Sequence, residues 1–161
     1  MMNHSKFSRV WLKIGLCLAL IIMFGACNFP EPPQSTMAMP KEYITKHMPQ
    51  GWWNKQEIIE EGRNLYLGDA KSNVNCAKCH GKTGKPVMTS ARDFRDSESM
   101  QKYSDSHMFW RIAEGVPYST MGAFKNSLSE EEIWKVIAFV STLGMDGLQY
   151  DPETKGWVPS G

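Results

Sequence analysis

The chain is 161 residues long, about one domain's worth, and carries 18 Lys and Arg against 17 Asp and Glu. That balance leaves no basic footprint for nucleic acid and no acidic interaction tail.

The chain opens with Lys6, Arg9 and Lys13 before the uncharged apolar run IGLCLALIIMFGAC. A positive start, a short apolar stretch and small residues at its end describe a secretory signal over residues 1–26. The run is too short for a comfortable membrane span. Gly25 and Ala26 before Cys27 resemble a bacterial lipobox, with Phe24 standing where that motif usually has Leu. The resemblance implies that Cys27 becomes the first mature residue and carries lipid, which anchors firmly once several acyl chains are present. An uncleaved anchor and ordinary cleavage elsewhere are the alternatives. The lipidated form belongs in the bacterial cell envelope, facing the periplasm, and Asn28, a non-Asp residue after the cysteine, resembles the enterobacterial sorting pattern that implies the outer membrane over the inner. Loss of residues 1–26 leaves 15 of the 18 basic side chains against all 17 acidic ones, net −2.

Residues 27–50 are rich in proline (Pro30, Pro32, Pro33, Pro40, Pro49) and read as a semi-extended tether. The Trp pair in GWW, 51–53, reads as packing against the following domain, 51–144, or as meeting a partner. NKQEIIEEGRNLYL predicts the first helix, with Asn54 as cap and Glu57 three residues on. Ile58, Gly62, Leu65 and Tyr66 fall on one of its faces.

Next comes VNCAKCHGKTG, with Cys76, Cys79 and His80 inside five positions. Cys17 would leave with the signal and Cys27 would be lipidated, so only these two thiols remain in the domain. A structural zinc site needs a second ligand pair, and none exists; the other mature histidines, His47 and His107, stand alone. A thioredoxin-like CxxC would sit in a βαβ pattern, and no strand–helix alternation surrounds this one. C-x-x-C-H itself reads as covalent attachment of one c-type haem, in the compartment an export signal implies. Each thiol adds to a haem vinyl group as a thioether, and the two intervening residues let both sulfurs reach one porphyrin edge. His80 is then carried under the iron as an axial ligand.

A shorter helix is predicted over about Asp105–Glu114, ending at Gly115. Beyond it lies EGVPYSTMGAF, a loop with Gly115, Pro117 and Gly122. Met121 in this loop is the best second ligand. It lies 41 residues after His80 (121 less 80), enough chain to pass around the haem. Met88 is only eight residues on, a reach of at most about 26–29 Å along a strained path. Met100 and Met108 fall in helical segments, where a Met is more often core. His47 and His107 are the rival ligands. SEEEIWKVIAFVSTLG predicts the last helix, with Ser129 and Glu132 as a capping box, an apolar stripe of Ile133, Val136, Ile137 and Val140, and Gly144 as stop. No hairpin signal is convincing, and the tail, 145–161, stays unassigned.

Over roughly 54–144 the chain resembles a class I monohaem cytochrome c. The resemblance rests on EGRNLY, CAKCHG, the glycine-led loop with Met121 before Phe124, and the capped final helix. It implies an all-α fold whose first and last helices cross beside the haem, with Gly62 as the close-approach point against Trp134 or Phe139. A mid-helix Gly costs about 1 kcal/mol relative to Ala, so packing is a reason for it. The resemblance also implies that the Pro86 carbonyl accepts from His80 Nδ1–H and orients the ring. Two features depart from the family pattern. Nine residues, 67–75, separate Tyr66 from Cys76, which suggests an extra surface loop, and Gly122 follows the Met where Pro is commoner. Lys78, Lys82, Lys85 and Lys125 either dock an acidic redox partner or are solvated surface.

The leading expectation is a single-electron carrier of a bacterial respiratory chain, with no catalytic residues of its own. A fixed haem subunit of a larger membrane respiratory complex, such as alternative complex III, is the second reading. A haem enzyme or gas sensor with an open sixth position is the third.

Overall fold

The computed structural model describes residues 38–144, 148–151, 153 and 156–159. The signal segment, Cys27 and the start of the tether lie outside them. Helix α1 spans Lys41–Ile44, and a 3₁₀ turn spans Trp52–Asn54. The helices that follow are α2 (Gln56–Leu67), α3 (Ala77–His80), α4 (Ser97–Met100), α5 (Asp105–Glu114) and α6 (Glu130–Thr142). Among the described residues no helix is long and apolar enough to cross a membrane.

The frame is the crossing of α2 and α6. At the crossing, a Cβ placed on Gly62 would lie 1.8 Å from the Lys135 carbonyl oxygen and 3.2 Å from Phe139 Cβ. The backbones touch here, and only a residue without a side chain fits. Phe139 is one of the two expected partners; the other contact is the Lys135 backbone rather than Trp134. Beside it the Tyr66 and Phe139 rings meet edge to face, 5.1 Å apart. Lys135 Nζ closes the seam with Glu61 at 2.6 Å.

Helix α6 begins as its sequence dictates: Ser129 Oγ accepts from the Glu132 backbone N–H, and Glu132 returns the bond to Ser129. Its apolar stripe is wider than expected. Trp134, Ala138, Phe139 and Ser141 are buried along with Ile133, Val136, Ile137 and Val140, because α2, α5 and the 3₁₀ turn all pack on it. Full burial of an Ile such as Ile133 or Ile137 contributes roughly 1.5–3 kcal/mol.

Three expectations change. Asn54 does not cap α2. The 3₁₀ turn absorbs it, and Lys55 takes the N-cap position with no side-chain bond. Residues 38–50, expected as tether, fold onto the domain. Tyr43 and Met48 are buried in the core, and the buried Asp105 carboxylate accepts from Met48 N–H at 2.8 Å. The tail forms an antiparallel hairpin, β1 (Leu148–Asp151) with β2 (Gly156–Pro159), in which Tyr150 pairs with Trp157. Asp151 Oδ1 accepts from Glu153 N–H at 2.9 Å, an Asx-type turn opener beside Pro152. Trp52 and Trp53 are half-buried against the core, as packing requires.

Candidate functional site

Helix α3 carries Cys76 as its N-cap, Cys79 and His80 on one turn. Residues ahead of that turn hold it in place. The Cys76 N–H donates to the Tyr66 carbonyl at 2.9 Å, which joins α3 to the end of α2. The Tyr66 hydroxyl, fully buried, donates to the Gly81 carbonyl at 2.6 Å. Residues 67–75, expected as a surface loop, are pinned. Val74 is fully buried, and Lys71 Nζ reaches Glu132 at 2.7 Å and the Ser127 carbonyl at 3.2 Å.

His80 is oriented by a contact the sequence did not disclose. Its Nδ1 lies 3.1 Å from the carbonyl oxygen of Arg92, not that of Pro86. After Pro86 the chain doubles back, with Val87 and Met88 N–H groups both donating to the Cys79 carbonyl, and it is Arg92 that passes the ring. A carbonyl only accepts, so Nδ1 carries the proton and Nε2 keeps its lone pair. That is the tautomer a metal ligand needs. Burial lowers the His80 pKa, with the Arg92 charge acting the same way against the backbone bond, and the imidazole is held neutral. The ring stacks on Phe94, centroids 4.3 Å apart and planes 12° from parallel.

Cys76 and Cys79 are both free thiols. Burial pushes the Cys76 thiol up to about 11, with the neighbouring Cys79 adding to it. That is the reverse of the depressed pKa that a disulfide-exchanging CxxC uses. Among the described residues no group of three or more His, Cys, Asp and Glu side chains forms a metal cluster, so nothing completes a zinc site. Two free thiols three positions apart, followed by a neutral imidazole with Nε2 bare, fit covalent haem.

Met121 lies on the loop between α5 and α6, and this loop is clamped locally. Val116 N–H donates to the Met121 carbonyl at 3.0 Å, and Met121 N–H donates to Ser119 Oγ at 3.1 Å. Ser119 Oγ in turn donates to the Val116 carbonyl at 2.7 Å. Gly115 makes the closure possible. Its φ of 76° and ψ of −170° lie in a region open essentially to Gly, and a Cβ there would lie 2.6 Å from the Met121 carbonyl. Past Met121 the chain returns to α5, Phe124 N–H donating to the Ile112 carbonyl. No hydrogen bond among the described residues joins this loop to α3.

Both rival histidines are engaged elsewhere. His47 Nδ1 lies 3.1 Å from the buried Asp105 carboxylate. His107 Nε2 accepts from Arg111 Nε at 3.4 Å, with its ring between those of Tyr103 and Trp110. Of the four lysines singled out, Lys125 is committed to Glu114 at 2.8 Å, while Lys78 and Lys82 are exposed with no ion pair among the described residues.

A family model described as cytochrome c oxidase, cbb3-type, subunit III matches residues 57–140, 84 of the 161. Among solved structures the chain is similar to cytochrome cL of the marine methylotroph Methylophaga aminisulfidivorans, 22% identical over 73% of each chain, TM-score 0.50. It is also similar to the c-type cytochrome KustC0563, 33% identical over 52% of this chain and 96% of that one, TM-score 0.45. A third match is the Kuenenia stuttgartiensis reducing HAO-like complex Kustc0457/Kustc0458, 23% identical over 56% of this chain and 45% of that one, TM-score 0.47. No curated protein matches the chain in sequence. The family match spans more than half of the chain and contains the whole C-x-x-C-H turn, so the chain belongs to the c-type cytochrome family of cbb3-type oxidase subunit III, an electron-carrying haem protein with covalently bound haem c.

Proposed function

We propose that this chain is a one-electron carrier with haem thioether-linked at Cys76 and Cys79, His80 and Met121 as axial ligands, and lipid on Cys27 holding it to the periplasmic face of the bacterial envelope, at the outer membrane. The observation that carries the ligand assignment is the His80 tautomer: the Arg92 carbonyl accepts from Nδ1–H, so Nε2 is bare beside two free thiols. The clamped backbone around Met121 supports the second ligand, because a preset loop aims one thioether at low entropic cost. When bound, the haem supplies an iron that cycles between ferric and ferrous states. The protein's part is to attach it, orient it, tune it and exclude water.

The first test is the optical spectrum of the protein made in a host with c-type maturation, oxidised and then reduced. The expected outcome is a low-spin c-type spectrum with the weak far-red Met–iron band in the ferric form. A low-spin spectrum without that band moves the ligand to His47 or His107. A high-spin spectrum overturns the simple carrier and favours an enzyme or gas sensor.

A second reading is favoured by the name of the matched family, which describes a subunit of an oxidase. In it, the same chain is a fixed haem subunit of a membrane respiratory complex. Mild-detergent extraction followed by size exclusion separates the two: a monomer supports the carrier, and co-elution with membrane redox subunits supports the complex.

A further inference from the structure

The His80 imidazole meets the protein at its edge and on its face. At the edge, Nδ1 lies 3.1 Å from the Arg92 carbonyl oxygen. On the face lies the Phe94 ring, centroids 4.3 Å apart and planes 12° from parallel. That is tighter than most aromatic pairs, whose centroids sit roughly 4.5–7 Å apart. Phe94 is itself held by the backbone around it. Its N–H donates to the Gly84 carbonyl at 3.0 Å. A Cβ on Gly84 would lie 3.2 Å from Phe94 Cβ, and one on Gly144, just past α6, would lie 1.8 Å from the Phe94 carbonyl oxygen. The residues on either side of Phe94 close on each other, with the Arg95 N–H and Nε each donating to Asp93 Oδ1 at 2.9 Å. The Tyr66 ring also stands against Phe94, 6.4 Å away and tilted by 58°.

The edge contact alone does not fix the plane of the ring. A carbonyl oxygen accepts over a broad range of directions, so one hydrogen bond tolerates tilt. The χ2 torsion of a histidine is broad as well. A flat ring packed against the face removes that freedom, because tilting the imidazole would drive its atoms into the neighbour. We propose that Phe94 is a positioning residue that sets the plane of the His80 imidazole for the iron. The proposal rests on the reading of His80 as a ligand to covalent haem. Arg92 then decides which nitrogen carries the proton, and Phe94 decides which way the ring faces. The consequence is electronic. The plane of an axial imidazole selects the iron orbital that holds the unpaired electron of the ferric state. A fixed plane gives one distribution of spin over the porphyrin, and a swinging ring gives an average.

The test uses the matured holoprotein and its Phe94→Leu and Phe94→Tyr variants. Leu keeps an apolar side chain but has no flat face, and Tyr keeps the face. The readout is proton NMR of the ferric protein, in which unpaired spin spreads the signals of the haem ring methyls. Expected for Phe94→Leu is a narrowing of that spread, with the far-red Met–iron band unchanged. Phe94→Tyr should restore the wild-type pattern. Should Phe94→Leu fail to accumulate, Gly84→Ala carries the same readout. Its Cβ crowds Phe94 Cβ at 3.2 Å and displaces Phe94 without removing an atom that touches the imidazole. Lower stability with the methyl pattern of the wild type, in Phe94→Leu or in Gly84→Ala where Leu fails, would mean that Phe94 serves packing alone, and would overturn the proposal. Failure of the wild type to bind haem covalently would overturn the reading beneath it instead.

Discussion

The turn that carries His80 and the loop that carries Met121 are held by opposite means. The His80 turn is oriented from outside itself. Arg92 fixes the imidazole from twelve residues away, Tyr66 fixes the Gly81 carbonyl from fifteen, and Phe94 stacks on the ring. The Met121 loop is held from within by Gly115, Val116 and Ser119, all inside six residues. A dense chemical motif can be positioned by its surroundings, because its own residues are already in sequence contact. A single proposed ligand with no motif around it needs a loop that closes on itself.

The comparison breaks most sharply at Gly115. Gly115→Ala puts a Cβ 2.6 Å from the Met121 carbonyl at a φ of 76°. The expected cost is about 3 kcal/mol, combining backbone strain and overpacking. A denaturant titration of the holoprotein reads the stability. The far-red Met–iron band should weaken before the haem's low-spin character at the His80 side is disturbed. Simultaneous loss of both would mean that the two regions are not independent.

The next effect belongs to the His80 turn. Tyr66→Phe removes the shorter of two bonds to the Gly81 carbonyl, which also accepts from Gly84 N–H at 3.3 Å, while leaving the ring contact with Phe139 intact. Loss of a short buried hydrogen bond whose acceptor keeps a longer partner costs about 1.5 kcal/mol. The expected signature is the mirror image: lower stability with the Met–iron band kept. Ser119→Ala comes lower, at about 1 kcal/mol, since it deletes two hydrogen bonds in a half-exposed loop that solvent partly replaces. Its mark is an earlier thermal loss of the far-red band than of helical circular dichroism.

How far the sequence spoke follows the same division. The C-x-x-C-H turn, the Ser129–Glu132 capping box, α5 and the Gly62 crossing were legible, because each is written in residues near one another or in a helical period. The Nδ1 partner was not. Proline suggested itself at 86, but the path from Gly81 to Arg92 is fixed by backbone bonds back to Cys79, which no side-chain pattern encodes. The packing of residues 38–50 was hidden by their proline content. The signals were there in Tyr43, Met48 and an acid at 105 that is buried where the Met48 N–H, the Ser106 N–H and His47 reach it. The tail hairpin did leave a trace, an Asp-Pro turn opener and Gly156, but its strands are too short to alternate.

The smallest expected effect tests how closed the Met121 loop really is. Glu114, the last residue of α5, accepts from Lys125 Nζ at 2.8 Å, beyond Met121, and from the Tyr43 hydroxyl on the N-terminal segment. The Lys125 bond, then the Tyr43 bond, hold the Glu114 carboxyl below its ordinary value, while Tyr43's own burial, then its bond to Glu114 and that carboxylate's charge, push the Tyr43 hydroxyl up to about 12. A carboxyl with a depressed folded pKa contributes stability above its unfolded pKa and loses it as pH falls through the folded one. The link should therefore be intact above about pH 4.5 and weaken below it. The group is largely solvent-facing, so its share is under about 1 kcal/mol. In Glu114→Gln the acid limb of a stability–pH curve should flatten slightly below pH 4.5, with the Met–iron band unmoved at neutral pH. A band that weakened at neutral pH in this variant would mean that the loop leans on the N-terminal segment after all. The proposed Met121 ligand would then be held from outside, as His80 is.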